Sequence, residues 1–87
     1  MKTPKEIQRE LSERERRLRK KQKMTLQQLA DASGVSLGSV KRFESSGEIS
    51  LQSMIKIAIA LGCEDDFSAI FAKNLPMSIE EIINGEI

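Results

Sequence analysis

The segment from Thr25 to Glu44 constrains the fold more than any other part of the chain. It reads as two capped helices joined by only Gly34-Val35-Ser36. Thr25 stands where it caps the first helix, and Gln28, three residues on, is its reciprocal partner; this spacing satisfies two otherwise free backbone amides. Leu26, Leu29 and Ala30 then recur at helical spacing as an inner stripe. Gly34 ends the helix, because a closing residue commonly adopts the left-handed conformation that glycine takes without penalty. Val35 fills the turn, and Ser36 caps a second helix over about 37–45. Val40 and Phe43 point inward from it. A connection this short crosses two helices at a steep angle.

The rest of the chain also reads as helix. Thr3-Pro4-Lys5-Glu6 is a helix start, with Thr3 as cap and Glu6 closing a capping box. That helix runs to about Lys21, with Ile7, Leu11 and Leu18 at helical spacing. Ser50 caps another over Leu51 to Leu61, with Leu51, Met54, Ile55, Ala58 and Leu61 expected on its inward face and Gly62 as its stop. Asp65 or Asp66 is expected to cap a short fifth helix carrying Phe67, Ile70 and Phe71. Leu75-Pro76-Met77 reads as a linker, and Ser78 opens a last short helix in which Met77 faces Ile82. Ile79, Ile82 and Ile83 form a stripe on a helix too short to stand alone. It either docks, on the Phe67/Phe71 helix or on a second subunit, or stays free until a partner arrives. No stretch alternates with period two, so the expected fold class is all-α. The expected division is one domain over 1–75 and a short helical tail over 76–87. A core this small is marginal, and a partner subunit would help it.

Composition narrows the function. The chain has no His, Trp or Tyr and a single cysteine, Cys63. The commonest general base and the commonest neutral metal ligand are therefore missing. Cys63 reads as a small buried filler rather than a redox sensor. The remaining acids and nucleophiles show no local catalytic signature and fall mostly on solvated faces or caps. No enzyme activity, metal or cofactor is expected. The most apolar stretch, Met54 to Leu61, is interrupted by Lys56 and too short to span a bilayer, and no signal peptide is evident. One unpaired cysteine suits a reducing compartment, so a cytoplasmic location is expected.

Charge is strongly graded. Residues 1–23 hold ten Lys/Arg against four Glu, a net of +6. Residues 24–63 balance at three of each sign, and residues 64–87 hold six acids against one Lys, a net of −5. The basic end either meets a polyanion or is a solvated helix whose cations suit its own C-terminal dipole.

Met24 to Ala30, Gly34-Val35-Ser36, Ser39-Val40, Phe43-Glu44 and Ser50-Leu51 through Ile55 to Gly62 resemble the phage-repressor and Cro-like (XRE-type) helix-turn-helix family. The resemblance covers roughly Leu11 to Gly62. It implies a compact five-helix repressor-like domain that binds double-stranded operator DNA, usually as a two-fold homodimer, and hence a transcriptional repressor. Val35 to Glu44 with Ser46 to Leu51 is similar to a narrower subgroup, the HipB-like antitoxins encoded beside HipA-like kinases. That likeness implies the alternative function, an antitoxin that binds and neutralises a HipA-like kinase toxin. Two positions depart from the family. Leu26 stands where a Gln typically bonds a phosphate, and Glu15 stands where helix 1 usually has an apolar residue.

With Val40 inward, steps of about 100° place Leu37, Gly38, Lys41, Arg42 and Ser45 on the opposite face of the second helix of the motif. These match the family's positions that read bases or adjoining backbone. Lys41 and Arg42 can donate to guanine O6 and N7, and Leu37 can press on a thymine methyl. Gly38 permits close approach. Thr25, Gln27 and Ser39 stand near capped helix N-termini whose free amides can meet phosphates. The Arg/Lys crowd ending helix 1 either reaches neighbouring phosphates or is solvated. Glu44 lies about 40° from Val40 on the wheel and needs a partner if buried. The resemblance implies a structural ion pair between Arg19 and Glu44.

Overall fold

In a computed structural model, which describes residues 1–75, α1 spans Pro4–Lys21, α2 Leu26–Ser33, α3 Leu37–Ser46 and α4 Leu51–Leu61. A 3-10 helix over Glu64–Ala69 forms the fifth helical element, and a 3-10 turn follows at Ala72–Asn74. The described residues contain no strand, and the architecture is a compact all-helical domain.

Caps set the boundaries. Thr3 Oγ1 accepts from the Glu6 amide at 3.1 Å while Glu6 Oε1 accepts from the Thr3 amide at 3.2 Å. Thr25 and Gln28 exchange the same pair of bonds at the start of α2, at 3.0 and 2.8 Å. Ser36 and Ser50 each accept from the amide three residues on. Gly47, which ends α3, has φ 83°, and a Cβ there would stand 3.0 Å from the backbone carbon of Gln8. The close passage of α1 over the end of α3 therefore requires glycine on two grounds.

Leu29, Val40 and Ile57 are wholly buried, and Ala30, Val35, Phe43 and Leu61 complete the core. It sits where α2 packs on both α3 and α4. Burying each large aliphatic contributes about 1.5–3 kcal/mol.

Three expectations need correction. The inward face of α4 centres on Ile57, Ala58 and Leu61, while Leu51 is exposed. From Met54 to Leu61 this helix is apolar except at Lys56, so periodicity leaves its inward side open and packing on α2 selects it. Secondly, the buried residues of α1 are Ser12 and Arg19, whereas Ile7 and Leu11 remain exposed. Thirdly, the element after α4 is a 3-10 helix with no side-chain cap. Asp65 and Asp66 lie inside its acidic first turn, where the helix dipole favours them. Side chains three apart eclipse in a 3-10 helix, which groups Phe67 with Ile70. Phe71 turns away at φ 66° and is 84% exposed. The expected helix from Ser78 and the Met77–Ile82 contact lie outside the described residues.

Candidate nucleic-acid interface

The turn Gly34-Val35-Ser36 is built from opposite requirements on adjacent residues. Gly34 adopts φ 75°, Val35 is 5% exposed and anchors the turn in the core, and Ser36 caps α3. Together they launch α3 across α2.

A polar brace ties α3 to α1. Arg19 Nε donates to Glu44 Oε2 at 2.7 Å, Nη2 donates to Glu44 Oε1 at 2.9 Å, and Nη1 donates to the Met24 carbonyl at 2.8 Å. The two side chains are only 9% and 7% exposed. The guanidinium fork holds both carboxylate oxygens, which fixes distance and angle together. The Glu44 hydrogen bonds raise the Arg19 pKa above its usual value. Burial works to raise the Glu44 pKa, but bonds from Arg19 and Glu15 and the nearby Arg16 charge outweigh it and hold the carboxyl below its ordinary range. Gln8 Nε2 donates to the Gly47 carbonyl at 3.3 Å, and Gln22 Nε2 donates to the Leu61 carbonyl at 2.8 Å, so α1 is pinned to the ends of α3 and α4 as well.

Glu15 is the unexpected member of this cluster. Both its carboxyl oxygens are sealed from water and meet no donor among the described residues. Burial, then the proximity of Glu44, pushes its pKa up to about 8. The raised pKa favours the neutral form, which spares the cluster a second buried negative charge beside Glu44.

Opposite the brace, α3 presents Lys41, Arg42 and Ser45 to solvent. The Lys41 and Arg42 side chains make no hydrogen bond or ion pair among the described residues. Gly38 is exposed with open space where a Cβ would be. Leu37 divides its surface, packing partly on the core. Ser39 is half-buried and its hydroxyl accepts from Ser36 Oγ at 2.9 Å. Thr25 and Gln27 are exposed at the start of α2; Thr25 is engaged in its cap, and Gln27 donates to Asp31 at 2.9 Å. Leu26 packs against the core.

The helix-turn-helix family model HTH_3 matches residues 16–67. The chain belongs to this XRE-type helix-turn-helix family. The family is one of DNA-binding transcription regulators, not of enzymes. No curated protein and no solved structure matches the chain significantly. No helix of the described residues is long and apolar enough to cross a membrane.

The regulator's structure adds residues that sequence reasoning missed. A polar hollow of about 300 Å³ beside α3 is lined by Ser39, Arg42, Glu48, Ile49, Ser50 and Ser53. It brings the N-terminus of α4 next to Arg42. The signal was present in Ser50, but a cap reads as local chemistry until the packing of α4 is known.

Proposed function

We propose that the protein is a sequence-specific repressor that binds double-stranded DNA as a homodimer, through a domain spanning 1–75. Lys41 and Arg42, exposed and without a side-chain partner among the described residues, on a helix braced from behind by Arg19–Glu44, carry this reading. In it, α3 enters the major groove and the α2 N-terminus faces the backbone. Lys41 and Arg42 donate to guanine edges, and the outward part of Leu37 meets a thymine methyl. Gly38 lets the backbone approach, Ser45 and Ser39 reach adjoining backbone, and Thr25 and Gln27 lie against phosphates. Two subunits occupy half-sites about one DNA turn apart and block polymerase.

Operator selection from a random duplex pool, followed by titration at fixed salt, tests the proposal. Arg42→Ala is expected to lose about 1–3 kcal/mol of affinity and to relax preference at one base pair, with the melting temperature unchanged. Wild-type affinity in the Lys41→Ala/Arg42→Ala variant would remove α3 as the reader.

A second role, binding a HipA-like kinase as an antitoxin, is favoured by the exposed side chains of Phe71 and Leu75. Exposed apolar side chains of this size suit a protein partner. Co-purification with the product of a neighbouring kinase-like gene, abolished in Phe71→Ser, tests it.

A further inference from the structure

An apolar groove of about 480 Å³ runs between α1, α4 and the Glu64–Ala69 3-10 helix. Leu11, Leu18, Met54, Phe67 and Ile70 line it, together with Glu15. None of the residues proposed to touch DNA does. Leu11 is 36% and Ile70 49% exposed, so its wall meets water, an unfavourable arrangement in proportion to the apolar area left open. Both Glu15 carboxyl oxygens are sealed from water, so they add little polarity to the open wall.

The chain itself carries a segment whose chemistry fits. Leu75 ends the turn that packs on the 3-10 helix lining the groove, and residues 76–87 follow it. Twelve residues reach about 40 Å when extended, longer than α1 at about 27 Å, and about 18 Å, or about two-thirds of α1, when helical. The segment brings Met77, Ile79, Ile82 and Ile83, with Glu80, Glu81 and Glu86 and no Lys or Arg. On the α1 side Arg14 lines the groove, and Arg17 and Lys21 continue that edge at spacings of three and four, all exposed. Apolar side chains therefore have an apolar wall to meet, and acids have a basic edge.

We propose that residues 76–87 of the same chain cover this groove, isoleucines on its apolar wall and glutamates toward the Arg14 edge. The direct attachment at Leu75 favours the chain's own segment over a second copy's. A short tether holds it at about millimolar effective concentration, so contacts too weak to associate two molecules still close within one.

Cys63, the chain's one cysteine, lines the same groove and is half-buried, which makes it a native reporter. The experiment measures iodoacetamide alkylation of Cys63 in the whole 87-residue chain at fixed pH, with circular dichroism melting to confirm that each variant is folded. Ile82→Asp/Ile83→Asp is expected to speed alkylation about tenfold, as for a site that is covered about nine-tenths of the time. Ile70→Asp, which alters the wall and leaves the segment intact, is expected to do the same. The wild-type rate is expected to be independent of protein concentration, and a synthetic peptide of residues 76–87 is expected to slow alkylation of the tail variant. An unchanged rate in the folded tail variant overturns the proposal. Wild-type protection that disappears on dilution also overturns it, by assigning the cover to a second copy.

Discussion

α3 and α1 attach to the same domain by different balances of chemistry. α3 buries Val40 and Phe43 against the α2 core, whereas α1 buries Ser12 and Arg19, packs Leu18 only partly on the core and leaves Ile7 and Leu11 in contact with water. The apolar contact is non-directional and insensitive to pH. The polar one depends on every donor and acceptor being matched, because a buried charge without its partner is costly. The consequence is a division of labour. Hydrophobic packing holds the helix-turn-helix pair together, and the α1 brace fixes the angle at which α3 is presented.

The largest expected effect comes from breaking the brace on one side. Arg19→Met strands the Glu44 carboxylate and is expected to cost about 3–5 kcal/mol, whereas Arg19→Met/Glu44→Leu is expected to be nearly neutral. Denaturant unfolding of both single variants and the double gives the coupling directly, and additive effects below about 1 kcal/mol would deny a buried bridge. On the apolar side, Leu29→Ala is expected to cost about 2–5 kcal/mol. The contrast is sharpest across pH: the Leu29→Ala loss should be the same at pH 5 and pH 8.

The brace should titrate. Glu15 has a folded-state pKa of about 8 against an unfolded value near 4.5, so the native state holds a proton that the unfolded chain releases. Stability from this group is therefore lost as pH rises from about 4.5 to about 8. Glu44 works in the other direction: its pKa is lowered, so its contribution is lost as pH falls below the ordinary carboxylate range. Glu44, Arg19 and Arg16 are the charged groups that act on Glu15 here. Melting temperature should be higher near pH 5 than near pH 8, and Glu15→Leu should flatten that slope by stabilising the protein at the alkaline end.

The smallest expected effect lies on the exposed side of α1. If Lys20 and Lys21 touch DNA backbone, Lys20→Glu/Lys21→Glu reduces the salt slope of operator binding by about one for each phosphate no longer neutralised. An unchanged slope would leave those cations as a solvated face.

Capping and turn chemistry were legible because they are local. Thr3 with Glu6, Thr25 with Gln28, and Gly34 with Ser36 act across a few bonds, and each stands where its spacing placed it. The inward side of α4 was not legible. Met54, Ile55, Ile57 and Ile59 surround that helix, and only contact with α2 distinguishes Ile57 from Ile59. The candidate site divides the same way. Wheel geometry about Val40 put Lys41, Arg42 and Ser45 outward, and three steps of about 100° leave Leu37 only about 60° from Val40, which agrees with its packing on the core rather than with a place on the opposite face; no wheel could show Ser50 and Ser53 beside Arg42.

The sequence by itself determined the boundaries of α1 to α4, the three-residue turn and the all-helical class, because hydrogen bonds to neighbouring amides and the left-handed freedom of glycine need no distant partner. Tertiary structure alone decided that Glu15 is sealed beside Glu44, that Gln8 and Gln22 add to the expected Arg19–Glu44 pair in tying down α1, and that an apolar groove opens between α1, α4 and the 3-10 helix. Those outcomes depend on which surfaces meet across the chain. A carboxyl group keeps its ordinary pKa until another helix excludes water from it.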